Sequence, residues 1–536
     1  MLDKVFQRRS MDAGSANPML TVLKYLYLSF FTHRLCMETP LKVELFINGE
    51  QVEPSLQKYV ERFDPGDNTR LIGVVADGSK DVGAGIDAAR EAFDKDVDGW
   101  VSDYRLRARV LLKAAEMLRQ DCERLAVMES LFTGKTIRTS RLGDVPRAAE
   151  LLEFYAGIAD KLLGTSQVLR TGDLIAIVKQ PVGVVAAITP WNFPLVILCR
   201  QVAPALAAGC TVVAKPASYT PATALELAKI LHKAGAPKGV FNIVTGSGET
   251  VGRELVKNSK VDVVNFTGET STGKWIMENA AGSLKRVVLE LGGKNPNIVF
   301  ADADLERAAN AVVYGAYANN GESCAAGSRL LVQSDVKEKF VKMVVDRVRK
   351  IRIGYQLDEA SDMGPLVSQG QLEKVLEYVG AAASEGLDIV CGGSRLTEGT
   401  YSKGNYMQPT VVDNTPPESK LFKEEIFGPV LTVTEFKDES EAVELANSTI
   451  YGLAAGVWSS DTGKALRVAE KVKSGAVWIN TYYTLPVEMP WGGFKQSGVG
   501  RNNTVLAVEH YLEYKGVYVD GQQGPMRPYY KLVLSG

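Results

Sequence analysis

An α/β fold built around an open parallel sheet is what this sequence predicts, and three observations predict it. From about residue 182 onward, short β-branched runs alternate with helical patterns. Each run is apolar throughout and bounded by glycine or proline, the mark of a strand covered on both faces. At 536 residues the chain is too long for one hydrophobic core, so two or three domains are expected.

The runs "VGVVAAITP" (182–190), "CTVVAKP" (210–216), "FNIVTG" (241–246), "VDVVNFTG" (261–268) and "RVVLELGG" (286–293) read as buried strands. Between them lie helices such as "TPATALELAKILHKAG", with a threonine cap, a proline at its start and a glycine at its end. The region 293–495 repeats this logic. Helical "ADLERAANAVVYGAYANN" leads into a cysteine segment, followed by strand "RLLVQ", helix "VKEKFVKMVVDRVRKI" and strands "PVLTVTEF" and "GAVWIN". Two further strand-like pieces, "SQVLRTGDLIAIVKQ" and "YLEYKGVYVD", fit neither sheet well and are expected to pair as an arm between subunits, with a surface hairpin the alternative.

Composition narrows the function. A formal net charge of −2 gives no electrostatic footprint for nucleic acid or an anionic membrane surface. The six cysteines (36, 122, 199, 210, 324, 391) contain no C-x-x-C pair and no metal-ligand spacing. No metal is therefore expected, and a reduced, cytoplasmic compartment is. The apolar stretch "MLTVLKYLYLSFFTHRL" is interrupted by Lys24 and is shorter than the ~20 residues of a spanning helix. Residues 1–36 are expected to be a non-native extension or a peripheral arm, and Met37 opens what reads like a natural domain start.

Ligands on open parallel sheets bind beyond the carboxyl ends of the strands. Here "TPWN", "KPAS", "TGSG", "FTGET" and "ELGG" all fall at those ends, and ordinary turns would not explain why Asn192, Lys215 and Glu290 stand among them. Four segments, "PWNFP" (190–194), "LELGGKNP" (289–296), "GESC" (321–324) and "EEIFGPV" (424–430), together resemble the aldehyde dehydrogenase superfamily over residues 44 to 520. The resemblance implies an open parallel-sheet dinucleotide-binding domain (41–161 and 182–292), an α/β catalytic domain (293–495) and a β oligomerisation arm (162–181 and 505–522), after an N-terminal extension (1–40). It also implies NAD(P)-dependent oxidation of a small-molecule aldehyde to an acid by a homodimer or homotetramer.

The residues fit that chemistry. An aldehyde gives up hydride readily only after a nucleophile has added to it. Cys324 would add as a thiolate whose pKa its surroundings lower, with small Ser323, Ala325 and Ala326 leaving the sulfur reachable. Asn192 and the Cys324 backbone N–H would hold the resulting oxyanion. Glu290, its pKa raised in a partly dry site, would activate the water that cleaves the thioester. A CoA-acylating relative would generally lack that glutamate.

For the cofactor, Gly246 lies in a glycine-rich turn whose spacing departs from the Rossmann fingerprint. Gly268 opens a strand-to-helix junction able to hold pyrophosphate, where Glu269 replaces a common serine. By resemblance, Thr189, Pro190, Trp191, Phe266, Thr267 and Leu291 line the cleft. Lys215 bonds the adenosine ribose, Glu425 holds the nicotinamide ribose and Phe427 packs against the nicotinamide. Ser218 stands where NAD-preferring relatives often carry glutamate, so the cofactor is NAD or NADP.

Gln201 and Asn502 replace a lysine and a glutamate of many relatives, leaving two neutral amides in a proton route. Arg200 and Tyr482 are the expected substrate contacts, with a structural ion pair the alternative role for Arg200. Arg200 falls where many relatives have tryptophan and suits an anion, although the second arginine of succinic semialdehyde dehydrogenases is Ala318 here. "PVEMPWGGFKQSGVGR" resembles instead the betaine-aldehyde and aminoaldehyde branch, in which Glu488 and Trp491 would favour a cation.

Overall fold

The predicted apolar runs form the middle of an eight-stranded sheet in the order Gly498–Val499, Arg286–Glu290, Val263–Thr267, Val184–Ile188, Thr211–Lys215, Phe241–Ile243, Leu45–Ile47 and Glu50–Val52. The structure, a computed structural model, describes residues 39–521 and 527–533. The five central strands are parallel, and antiparallel strands close both edges. Every residue of Val184–Ile188, Thr211–Lys215 and Val263–Thr267 is buried. A buried Val or Ile contributes about 1.5–3 kcal/mol, which is why these segments carry unbroken apolar runs rather than an alternating pattern.

Strand order reverses between Val184–Ile188 and Val263–Thr267, because the next two strands in the chain extend one side and the last two the other. Such a switch point leaves a crevice at the carboxyl ends. The register puts Thr267 opposite Glu290, Phe266 opposite Ile188 and Ile188 opposite Lys215. Residues distant in sequence are thereby set at one height on one rim.

A seven-stranded sheet in the order Asp388–Cys391, Thr410–Asp413, Val430–Phe436, Arg329–Gln333, Pro296–Val299, Ala454–Trp458 and Ala476–Ile479 is parallel except at its first pair. The two pieces that fitted neither sheet form one of their own, Thr165–Val168, Leu174–Pro181 and Leu512–Val519, all antiparallel. A fourth sheet pairs Leu41–Val43, Asp67–Ala76 and Tyr59–Asp64. Residues 1–38 and 522, which the predicted extension and arm include, lie outside the described residues.

One helix start differs from expectation. The helix Ala222–Ala234 ends at Gly235 (φ 115°) as predicted, but Pro221 holds the cap position without any side-chain cap bond. The Thr220 hydroxyl is buried with no partner. It sits one residue too early to reach the first free N–H groups.

Candidate active site

The helix Leu305–Tyr317 stops where Asn319 (φ 53°) and Asn320 (φ 59°) turn left-handed, a conformation asparagine tolerates better than most residues. Asn319 Nδ2 then donates to the carbonyl oxygens of Asn192 (3.2 Å) and Glu322 (2.9 Å). The loop reaches Cys324, whose carbonyl accepts from Asn295 Nδ2 at 2.7 Å; the same amide also bonds the Ala326 carbonyl at 2.9 Å. A Cβ at Gly293 would stand 2.5 Å from that Cys324 carbonyl, so the motif "LELGGKNP" supplies both the clearance and the amide that fix the cysteine.

Asn192 follows the strand Val184–Ile188 and is buried, with Nδ2 donating to the Glu322 carbonyl at 3.1 Å and Oδ1 unpartnered. Its amide is thus held beside the cysteine loop with one N–H to give. Glu290, at the end of its strand, turns its carboxylate toward the Cys324 thiol, the Arg200 guanidinium, the Trp491 indole and the Thr267 hydroxyl, with no fully formed hydrogen bond to either oxygen. Burial pushes it above the ordinary carboxylate range.

The thiol departs from expectation. Loss of hydration pushes the Cys324 thiol well above its ordinary value, and the nearby charges of Glu290 and Glu425 push the same way, opposed by Arg200. The sequence predicted a lowered pKa. The correction follows from the tertiary packing, which removes water from the sulfur and sets two carboxylates and one guanidinium around it.

The predicted cofactor residues converge on the switch-point crevice. Trp191 and Phe427 meet edge to face at 5.2 Å, joining the two large sheets across it. The Thr189 N–H bonds the Lys215 carbonyl at 3.1 Å, and the Gly268 N–H bonds the Glu290 carbonyl at 3.1 Å. A Cβ at Gly268 would strike the Phe266 ring at 2.4 Å, and one at Gly273 would meet Leu291 at 2.6 Å. The wall is shaped for close backbone approach.

Lys215 is buried with only the Pro216 carbonyl as partner, and burial lowers its pKa to about 8. Ser218 Oγ bonds the Gly246 carbonyl at 2.9 Å. Glu425 accepts from the Gly293 N–H at 2.8 Å and is raised by burial to about 7. Glu269 is exposed at the start of the helix Thr270–Ala280 and makes no side-chain cap. A dinucleotide fits these features: an under-bonded buried cation, glycine clearances and uncapped helix N–H groups.

The sequence profile of the aldehyde dehydrogenase family matches residues 52–517. This chain belongs to the aldehyde dehydrogenase family. It is 43% identical to the betaine aldehyde dehydrogenase of Bacillus subtilis (strain 168) over 476 residues, 88% of this chain and 96% of that one. The betaine aldehyde dehydrogenase of Staphylococcus aureus, solved in complex with NAD+, superposes with a TM-score of 0.90 at 38% identity, covering 94% of this chain and 99% of that one. A second structure of the same enzyme with NAD+ gives a TM-score of 0.88 at 39% identity, covering 90% and 96%.

Within this aldehyde dehydrogenase the remaining predicted residues separate. Arg200 is buried with Nε unpartnered, and its guanidinium lies 6.0 Å from the Trp491 ring centroid. Tyr482 is buried beneath the cysteine loop and donates to the Ala325 carbonyl at 3.1 Å. Glu488 is exposed, so the acid expected to favour a cation faces solvent.

Gln201 and Asn502 do not bond each other. Gln201 Nε2 donates to Thr267 Oγ1 at 3.1 Å, and Asn265 and Tyr511 lie between the two amides. Sequence reasoning missed Tyr483, which holds a left-handed backbone (φ 67°) and bonds Ser323 Oγ at 2.5 Å. It also missed Glu322, fully buried and raised well above the carboxylate range by burial. Only its adjacency to Cys324 marked Glu322 in the sequence.

Proposed function

We propose that Cys324 adds to the aldehyde, that the Asn192 amide and the Cys324 backbone N–H hold the oxyanion, and that Glu290 activates the deacylating water. What supports the assignment is the joint placement of these groups at one crevice. The carbonyl carbon bonds Sγ as its π pair moves to the oxygen held by Asn192 and the thiol proton passes to water, and Arg200 is the neighbouring group that favours the thiolate. Lys215, Ser218 and Gly246 would hold the adenosine end of the cofactor, and Glu425, Phe427 and Trp191 the nicotinamide end. When bound, the nicotinamide supplies the hydride acceptor that turns the Cys324 adduct into a thioester. Glu290 is then the base facing the sulfur, with a raised pKa suited to taking a proton from water.

The observation that carries the substrate reading is the buried Arg200, which faces the Glu290 carboxylate but makes no salt bridge to it and keeps Nε unpartnered. A buried guanidinium that no carboxylate fully bonds is costly unless an anion completes it. The aldehyde is therefore one that carries a carboxylate or another anionic group. The second reading, a cationic aldehyde such as betaine aldehyde, is favoured by the 43% identity to the Bacillus subtilis enzyme. Against it, Arg200 covers the Trp491 face on which an alkylammonium would sit.

Kinetics with ω-carboxy aldehydes, neutral aldehydes of the same length and betaine aldehyde test this. Arg200→Met is expected to lower kcat/KM for the carboxy aldehydes by about 10- to 100-fold, the scale of a charge-assisted hydrogen bond, and to leave neutral aldehydes less affected. Equal losses on all three would remove the anion reading.

The division into a dinucleotide-binding domain, a catalytic domain and an arm carries over as part of this reading, as does a homodimer or homotetramer. The three-stranded antiparallel sheet supports the arm, since Val168 and Tyr518 are 68% and 54% exposed on it. Cys122, Cys199, Cys210, Cys324 and Cys391 are all free thiols, which supports a cytoplasmic location. No helix among the described residues is long and apolar enough to cross a membrane.

A further inference from the structure

At the adenosine end of the crevice stands a cation that the sequence did not single out. Arg62 comes from the strand Tyr59–Asp64, in the small sheet outside the eight-stranded one. Its Nε donates to the Ser218 carbonyl at 2.5 Å across 156 residues of sequence, and Nη1 donates to the Glu61 carbonyl at 3.1 Å. The guanidinium lies 5.3 Å from the Tyr219 ring centroid. These contacts orient the group and leave its charge unneutralised.

The surrounding wall is built without competing acid. Ser218 brings no charge, and its hydroxyl is already bonded to the Gly246 carbonyl at 2.9 Å. The carboxylate of Asp77 lies 3.6 Å from where a Gly246 Cβ would stand, but it is ion-paired to Lys58 at 2.9 Å. Lys215 adds a second cation on the same rim. A planar guanidinium fork beside a small neutral residue suits a phosphate monoester, whereas recognising two bare ribose hydroxyls would call for an acceptor.

We propose that Arg62 is a specificity-determining residue that receives the 2′-phosphate of NADP, so that this protein binds NADP more tightly than NAD. The proposal rests on the cofactor placement given above. Its test is calorimetric titration of the full-length protein with adenosine 2′,5′-bisphosphate and with adenosine 5′-monophosphate.

The wild type is expected to bind the bisphosphate at least 10-fold more tightly. Arg62→Gln should weaken the bisphosphate by about 10- to 100-fold while shifting the monophosphate by less than about threefold. Arg62→Lys, which keeps the charge but loses the fork, should fall between. Ser218→Glu, which sets a carboxylate against the 2′-phosphate, should lose the bisphosphate and retain the monophosphate. A wild type without preference, or an Arg62→Gln variant that keeps it, overturns the proposal. If the wild type bound neither probe, the cofactor placement itself would be wrong and the role of Arg62 would fall with it.

Discussion

Replacing Cys324 with alanine is expected to leave less than a tenth of wild-type aldehyde oxidation while folding and cofactor affinity stay intact. The loop depends on groups the substitution spares: the Cys324 carbonyl keeps its bond from Asn295, and the turn at 319–321 keeps its anchors to Asn192 and Glu322. Only the covalent step is removed, and hydride loss from an unactivated aldehyde has no substitute route. An electrophilic aldehyde mimic should label the wild type once and the variant not at all, read by intact-protein mass. Cys199 and Cys210 will not compete, because both are fully buried whereas Cys324 is only half-buried and within a reagent's reach. A variant that retained a tenth of turnover would place the nucleophile elsewhere.

For Glu290→Gln the expected result is a burst of about one reduced cofactor per active site followed by a steady rate lower by ~10²-fold or more. The structure gives a reason for the burst to survive. Burial raises the Cys324 thiol most and the Glu290 charge adds to it, so neutralising Glu290 removes one of the influences that oppose thiolate formation. Deacylation, in contrast, loses the base that faces the thioester. Small added thiols should partly restore the steady rate, since they take the acyl group without an activated water. Stopped-flow absorbance of the reduced nicotinamide distinguishes the cases. Loss of both burst and turnover would move the role of Glu290 from water to thiol.

Much of the site was legible because its residues sit at the ends of strands whose apolar runs can be read directly. "TPWN", "KPAS", "FTGET" and "ELGG" fall at the carboxyl rim, where the registers of Ile188 with Lys215 and Thr267 with Glu290 place them. The cap of the helix Ala222–Ala234 was misread because threonine before proline resembles a cap in sequence, while only backbone geometry decides which N–H groups it can reach.

By itself, the sequence determined the alternation of strands and helices, the parallel sheets and the identity of the residues at the strand ends. These follow from local periodicity and from the cost of burying polar backbone. Tertiary structure alone decided that burial, reinforced by two carboxylates, pushes the Cys324 thiol upward, that Arg200 stands buried over Trp491, that Gln201 and Asn502 are separated by Asn265 and Tyr511, and that Arg62 leans on Ser218. The physical reason is that a charge acts through its distance and its hydration, and both are set by which distant segments the fold brings together.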